Sequence, residues 1–245
     1  MARNAIELPD ATSVERGETL GHQVYNRLRL ALIAGAFEPG QPMTTRSVAA
    51  AMQVSLTPAR EALGRLVAEG ALELTPTRGV QVPVLDKARL VEIYRIREVL
   101  EVMAAEAAVP LLGRTQIAGL KRLLAAHEAA LDRHDYRAAL ANNHRFHFTI
   151  YEASAMPTAV RMIESLWLQI GSTMNLLYPD FDVTRKGTSN HQAMIDAIRQ
   201  GNVRALCVAL RRDLAQGERS VLNSLRRAGK TPPRRRGRPV AAAAE

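Results

Sequence analysis

The feature that most constrains this fold is a hydrophobic period that switches twice along the chain. Residues 22–34 place Val24, Leu28, Ala31 and Leu32 on one helical stripe. Gly35 can end that helix, and Pro39-Gly40 is a turn signal. Residues 45–52 predict a short second helix. Thr57-Pro58 then suits the N-cap and first position of a third, which buries Ala59, Ala62, Leu63, Leu66 and Val67 and stops at Gly70. The period then becomes two: Leu72 and Leu74, a turn over Thr75–Gly79, then Val80, Val82 and Val84 predict a β-hairpin. From Asp86 to about residue 225 the helical period returns. Ile93, Ile96, Leu100, Met103 and Ala107 form one stripe, Ile163, Leu166, Ile170, Met174 and Leu177 another, and Val203, Leu206, Leu210 and Leu214 a third.

This order predicts a mainly α protein. An N-terminal winged helix-turn-helix (three helices plus a β-hairpin wing) precedes an all-α bundle of about six helices. Further helices are expected at 114–133, 136–153, 157–178, 187–200 and 202–227, with residues 178–188 the one long interruption. The expected division is an arm over 1–18, the winged domain over 19–85, the helical domain over 86–227 and a basic tail over 228–245.

Composition agrees. Aromatics are only 4%, against a β-sandwich, and hydrophobic residues reach 47%, enough for a core. The single cysteine, Cys207, excludes a disulfide framework and a cysteine-rich zinc site. No run approaches the roughly 18 apolar residues of a membrane span, and residues 1–18 lack the apolar core of a secretory leader. The expected location is cytoplasmic, on the nucleoid when DNA is bound. The net charge is +9, but residues 226–245 carry seven basic residues against Glu245 and so hold most of the excess. High basicity alone is therefore a weak sign of nucleic-acid binding.

The motifs are more specific. TPAREAL (57–63) followed by RLVAEG (65–70), with a wing behind, resembles the DNA-binding domain of GntR-type bacterial transcription regulators. YRIREVLE (94–101), NHRFHFTIYEAS (143–154) and HQAMIDAIRQGN (191–202) resemble the FadR-type ligand domain, FCD. The two resemblances cover roughly residues 20–225. They imply a ligand-responsive regulator, a repressor, that binds a palindromic operator in double-stranded DNA as a homodimer. Its effector would be a small organic-acid metabolite, a carboxylate.

Ser55, Thr57 and Arg60 stand at the N-terminal, base-edge end of the recognition helix; the resemblance assigns DNA contact to Arg60 and Arg46, and to Arg78 and Gly79 at the wing tip. Arginine suits guanine because its planar fork donates twice, to O6 and N7. Leu56, basic in some relatives, cannot read a base edge in this way. The alternative is that Arg60 and Arg65 form a solvated face with Glu61 and Glu69; Arg65 reads as structural or phosphate-facing.

In the ligand domain the resemblance implies a divalent metal held by one Asp and three His. Here those positions are Asn143, His147, His191 and Asp213, a mixed N/O set suited to Zn, Ni or Mn. The alternative is that His147 and His191 are buried, hydrogen-bonded histidines that bind no metal or that touch the effector directly. His144 is expected to be solvated. Arg97 would grip a carboxylate effector by a forked hydrogen bond, or pair with Glu101 one helical turn on.

In the tail, Arg236-Gly237-Arg238-Pro239 resembles a minor-groove hook. A solvated basic segment that adds phosphate attraction is the other reading. Two further functions compete with the regulator. An effector-independent architectural DNA-binding protein would show weak sequence preference. A metal-dependent enzyme on His147, His191 and Asp213 lacks support, since no nucleophile motif, phosphate-cradling glycine loop or HExxH is present.

Overall fold

The computed structural model describes residues 18–76, 79–178 and 186–230. The first domain is built from α1 (Leu20–Ile33), β1 (Pro42–Met43), α2 (Thr45–Met52), α3 (Leu56–Ala68), β2 (Glu73–Leu74) and β3 (Val80–Gln81). The wing is larger than a hairpin. β3 lies between β1 and β2, pairing antiparallel with both, with Met43 opposite Val80 and Glu73 opposite Gln81. The α2–α3 turn is fixed locally. Thr44 and Ser47 form a capping box at the start of α2, and Gln53 closes it in the left-handed region, φ 54°. The N-cap of α3 is Ser55 rather than Thr57, and its side chain makes no capping bond. Pro58 therefore stands third in the helix, still inside the first turn where its missing N–H is harmless.

The helical domain holds α4 (Lys87–Ala108), α5 (Arg114–Asp132), α6 (Tyr136–Glu152), α7 (Pro157–Met174), α8 (Lys186–Arg199) and α9 (Val203–Lys230). Asp86 caps α4 by accepting from the Arg89 N–H at 2.8 Å, so the wing feeds straight into the bundle. α9 packs on α8 and α4, α5 on α6 and α8, and α7 on both α4 and α1.

The α4 stripe differs from the sequence expectation. Ile93 is buried, but Ile96 and Met103 are exposed, at 41% and 38%. The buried face instead runs Leu90, Ile93, Tyr94, Arg97, Glu101, Ala104 and Ala108. An ion pair at its centre pairs internally, so a count of apolar residues alone picks the wrong face.

α7 is covered on nearly every side. Ile163 and Trp167 enter the main bundle core, and Ile170 and Met174 join a second cluster with Leu90 and Tyr94. Leu168 points the other way, into the core of the winged domain. Gly171 passes so close to α1 that a Cβ there would collide with the Leu32 carbonyl oxygen. Among the described residues no helix is long and apolar enough to cross a membrane.

Candidate functional site

His147 on α6, His191 on α8 and Asp213 on α9 converge inside the bundle. Both histidines are about 1% exposed. The two Nε2 atoms lie 3.2 Å apart, and Asp213 comes within 3.4 Å of His147 Nε2 and 3.9 Å of His191 Nε2. Donors about 2.0–2.2 Å from a shared ion stand roughly 3–3.5 Å from one another, so two of the three separations already fit a metal. Asn143, the fourth sequence candidate, lies one turn before His147 and is half-buried.

The protonation of this set follows from its partners. Glu101 is fully buried and accepts from three side chains: Arg97 Nε at 2.7 Å, Trp167 Nε1 at 2.9 Å and the Tyr151 hydroxyl at 2.5 Å. With its proton on Glu101, the Tyr151 oxygen can only accept from His147 Nδ1, 3.1 Å away. That places a proton on His147 Nδ1 and leaves Nε2 to face His191 and Asp213. Burial lowers the His191 imidazole to about 3, so it is neutral near pH 7. Burial raises the Asp213 carboxyl; a proton on His147 or His191, and the Asn190 amide that donates to Oδ1 at 3.3 Å, act the other way and hold it below the usual carboxylate range. Neutral imidazoles and an ionised carboxylate are the forms that ligate metals.

Several of these residues escape a reading of the sequence. His127 sits edge-on to His191, its Nδ1 2.9 Å from the Ala139 carbonyl; its place in line with Leu120, Leu124 and Leu131 is the signal that it is buried. His144 is not solvated. It is 8% exposed, stacked on Phe148 and edge-on to Trp167. Its neighbours on α6 and α7 supply the flat apolar walls that exclude water. Tyr151, four residues after His147, was within helical reach of it.

Arg97 is 2% exposed and paired with Glu101, with its guanidinium 4.3 Å from the Trp167 ring and 4.9 Å from the Tyr94 ring. Its Nη1 is buried with no hydrogen-bond partner among the described residues. The pairing with Glu101 is therefore formed, and Nη1 is the guanidinium nitrogen left over.

In the winged domain, Arg46, Ser55, Thr57 and Arg60 are all exposed, at the starts of α2 and α3. Gly79 closes the wing turn, its N–H donating to Thr75 Oγ1 at 2.9 Å. Arg78 and the tail residues Arg236, Gly237, Arg238 and Pro239 lie outside the described residues. Arg65 is committed internally. It lies 3.6 Å over the Tyr25 ring and donates to Glu69 at 3.1 Å. Among the described residues, no ion pair or hydrogen bond engages the side chain of Arg46 or Arg60.

Residues 20–82 match the family described as bacterial regulatory proteins, gntR family, and residues 92–216 match the FCD domain. The chain belongs to the GntR family. This GntR protein is 36% identical over 179 residues to the HTH-type transcriptional regulator McbR of Escherichia coli, spanning 72% of its own length and 81% of that relative. It is 24% identical to the E. coli repressor RspR over 155 residues, 63% and 68% of the two chains. The solved structure of E. coli McbR/YncC superposes with a TM-score of 0.79 at 31% identity, over 85% of this chain and 99% of that one. A putative GntR regulator from Rhodococcus sp. RHA1 shares the fold, TM-score 0.71 at 22% identity over 83% of this chain and 97% of that one. The GntR protein is thus a DNA-binding transcriptional regulator with an FCD domain, and the regulator names of its relatives set the enzyme reading aside.

Proposed function

We propose that this regulator senses a small carboxylate through a divalent ion held by His147, His191 and Asp213, and represses a palindromic operator as a homodimer. The observation that carries the reading is the convergence of those three side chains inside the domain attached to the winged helix. Asn143, one turn before His147, would add a carbonyl oxygen. The N/O donor set suits Zn, Ni or Mn. Bound there, the ion would supply a Lewis-acid site for a carboxylate, and the unpaired Arg97 Nη1 would donate to the same anion.

Chelator-treated protein titrated with Zn, Ni and Mn, each with and without small carboxylates, tests this by thermal unfolding. A native-state ligand at about 100 times its Kd adds roughly 2.7 kcal/mol, several degrees in the midpoint for a chain of this size. The His147→Ala variant is expected to lose the metal-induced shift. An unchanged shift in that variant would place the ion elsewhere.

On the DNA side, Ser55, Thr57 and Arg60 open the recognition helix α3, and Arg46 opens α2 beside it. These four contact the major groove, with the wing tip at Arg78 and Gly79 on the backbone or minor groove. The free side chains of Arg46 and Arg60, against the committed Arg65, support this assignment. Arg60→Ala is expected to weaken operator binding by about 1–3 kcal/mol, roughly tenfold to hundredfold. Wild-type affinity in an electrophoretic or anisotropy titration would remove Arg60 from the interface.

Pairing of two copies is supported by α4, whose Ile96, Val99 and Met103 lie exposed at i, i+3 and i+7; Val99 is 69% exposed. Sedimentation at about twice the 26.9 kDa chain mass is the expected result, and a monomer mass would refute it.

A further inference from the structure

Sensing at the histidine cluster matters only if it reaches α3. The two ends of that path are visible on one helix. On its inner face, α7 presents Trp167, whose Nε1–H donates to Glu101 Oε1 at 2.9 Å. Glu101 is the acceptor that holds Tyr151, and Tyr151 sets His147. Trp167 is thus three hydrogen bonds from the His147 imidazole, and its ring lies 5.5 Å from that imidazole. Any rearrangement of His147 on binding an ion acts on groups that α7 touches directly.

On its outer face, α7 grips the winged domain at two helix ends. Glu69 is the C-cap of the recognition helix, and its carbonyl oxygen accepts from Ser165 Oγ at 3.2 Å and Gln169 Nε2 at 3.5 Å. Helix-terminal carbonyls lack intrahelical partners, so these two side chains complete α3. The end of α1 is held as well. Asn175, just past α7, donates its Nδ2–H to the carbonyl of Gly35, which sits at φ 66°. Glu164 pairs with Arg29, and Gly171 lies against the Leu32 carbonyl. Leu168 is 2% exposed inside the winged-domain core. The contact is close-packed, so it transmits a displacement of α7 rather than absorbing it.

We propose that α7 is the coupling element of this regulator. Trp167 is its positioning residue on the sensor side, and Ser165, Gln169 and Gly171 form the face that sets the recognition helix. This rests on the metal-sensing reading above. Coupling is reciprocal, so holding the winged domain in place also holds the cluster.

Hydrogen exchange of the full chain, stripped by chelator and then given Zn²⁺, separates the two readings. The fragments to follow are 143–152 around His147, 28–36 at the end of α1 and 66–72 at the end of α3. In the wild type, Zn²⁺ is expected to change exchange in all three, by about fivefold or more at 28–36 and 66–72. In Trp167→Phe, which keeps a ring but loses the N–H, fragment 143–152 still responds and the other two do not. A wild type whose winged-domain fragments ignore Zn²⁺ while 143–152 responds overturns the coupling, as does a Trp167→Phe variant that retains the full response. If Zn²⁺, and then Ni²⁺ and Mn²⁺ in its place, change no fragment, the metal reading fails. The coupling is then read without metal from Tyr151→Phe, which removes one donor to Glu101. Faster exchange at 28–36 and 66–72 supports it, and unchanged exchange there refutes it.

Discussion

Arg97→Ala is expected to cost about 3–5 kcal/mol of unfolding free energy at neutral pH, a large fraction of the roughly 5–15 kcal/mol that holds a domain folded. The mechanism is the exposure of a buried charge to a hole rather than the loss of an attraction. Glu101 is fully buried, and Arg97 is its only cationic partner among the described residues. Without the guanidinium, the carboxylate keeps Trp167 and Tyr151 as neutral donors but has no counter-charge. The guanidinium also fills the space between the Tyr94 and Trp167 rings, so alanine leaves a cavity as well as a charge. Urea unfolding of the metal-free protein reads the loss as a lower midpoint at constant slope. An exposed pair would cost less than about 1 kcal/mol. A loss that small would show that Glu101 is neutralised or reached by water. The same variant removes the free Nη1 donor, so any surviving metal shift should no longer strengthen with carboxylates.

That pair also shows which parts of the protein could be read from residues in a row. The i, i+4 spacing of Arg97 and Glu101 announces their contact, but spacing does not say whether the contact faces water or core. With the pair buried, Ile96 and Met103 face outward, so an apolar stripe through them departs from the buried face of α4 that Ile93 shares. The winged domain was legible because its signals are local: two turns, a Pro within the first helical turn, and a switch to period two. Its third strand, Pro42–Met43, is too short to carry a period. The cluster is different in kind. His147, His191 and Asp213 come from three helices, and only a resemblance to a known family aligns them in advance. The surrounding apparatus of His127, Glu101, Tyr151 and Trp167 depends on how those helices cross. The role of α7 is of the same sort, since its sequence shows one apolar stripe where the structure uses two faces.

Acid is expected to unfold the metal-free protein well above the carboxylate range, and His144 is a principal cause. Its ring lies 4.0 Å from Phe148 and has Trp167 at its edge, with Nε2 buried and unpartnered. Burial first, then the charges of Arg29, His147, Arg145 and Arg97, push it down to about 3. In the unfolded chain the same imidazole titrates near 6.5. Between those values the unfolded state binds a proton that the folded state refuses, so stability rises with pH. Read downward, the contribution is intact above pH 6.5 and is lost progressively toward pH 3, by roughly 5 kcal/mol at full extent. His191, also lowered to about 3 by burial, acts in the same window and direction. Asp213, held low, adds its loss only below the ordinary carboxylate value. His144→Phe separates these contributions, because it keeps the stacked ring and removes the titration. Unfolding free energies at pH 7.5, 6.0 and 5.0, in chelator, should fall less steeply in the variant, by up to about 1.4 kcal/mol per pH unit. An equal slope in both proteins would mean that folded His144 takes its proton as readily as the unfolded chain does. The ring would then have to reach water or an acceptor despite its stacked position.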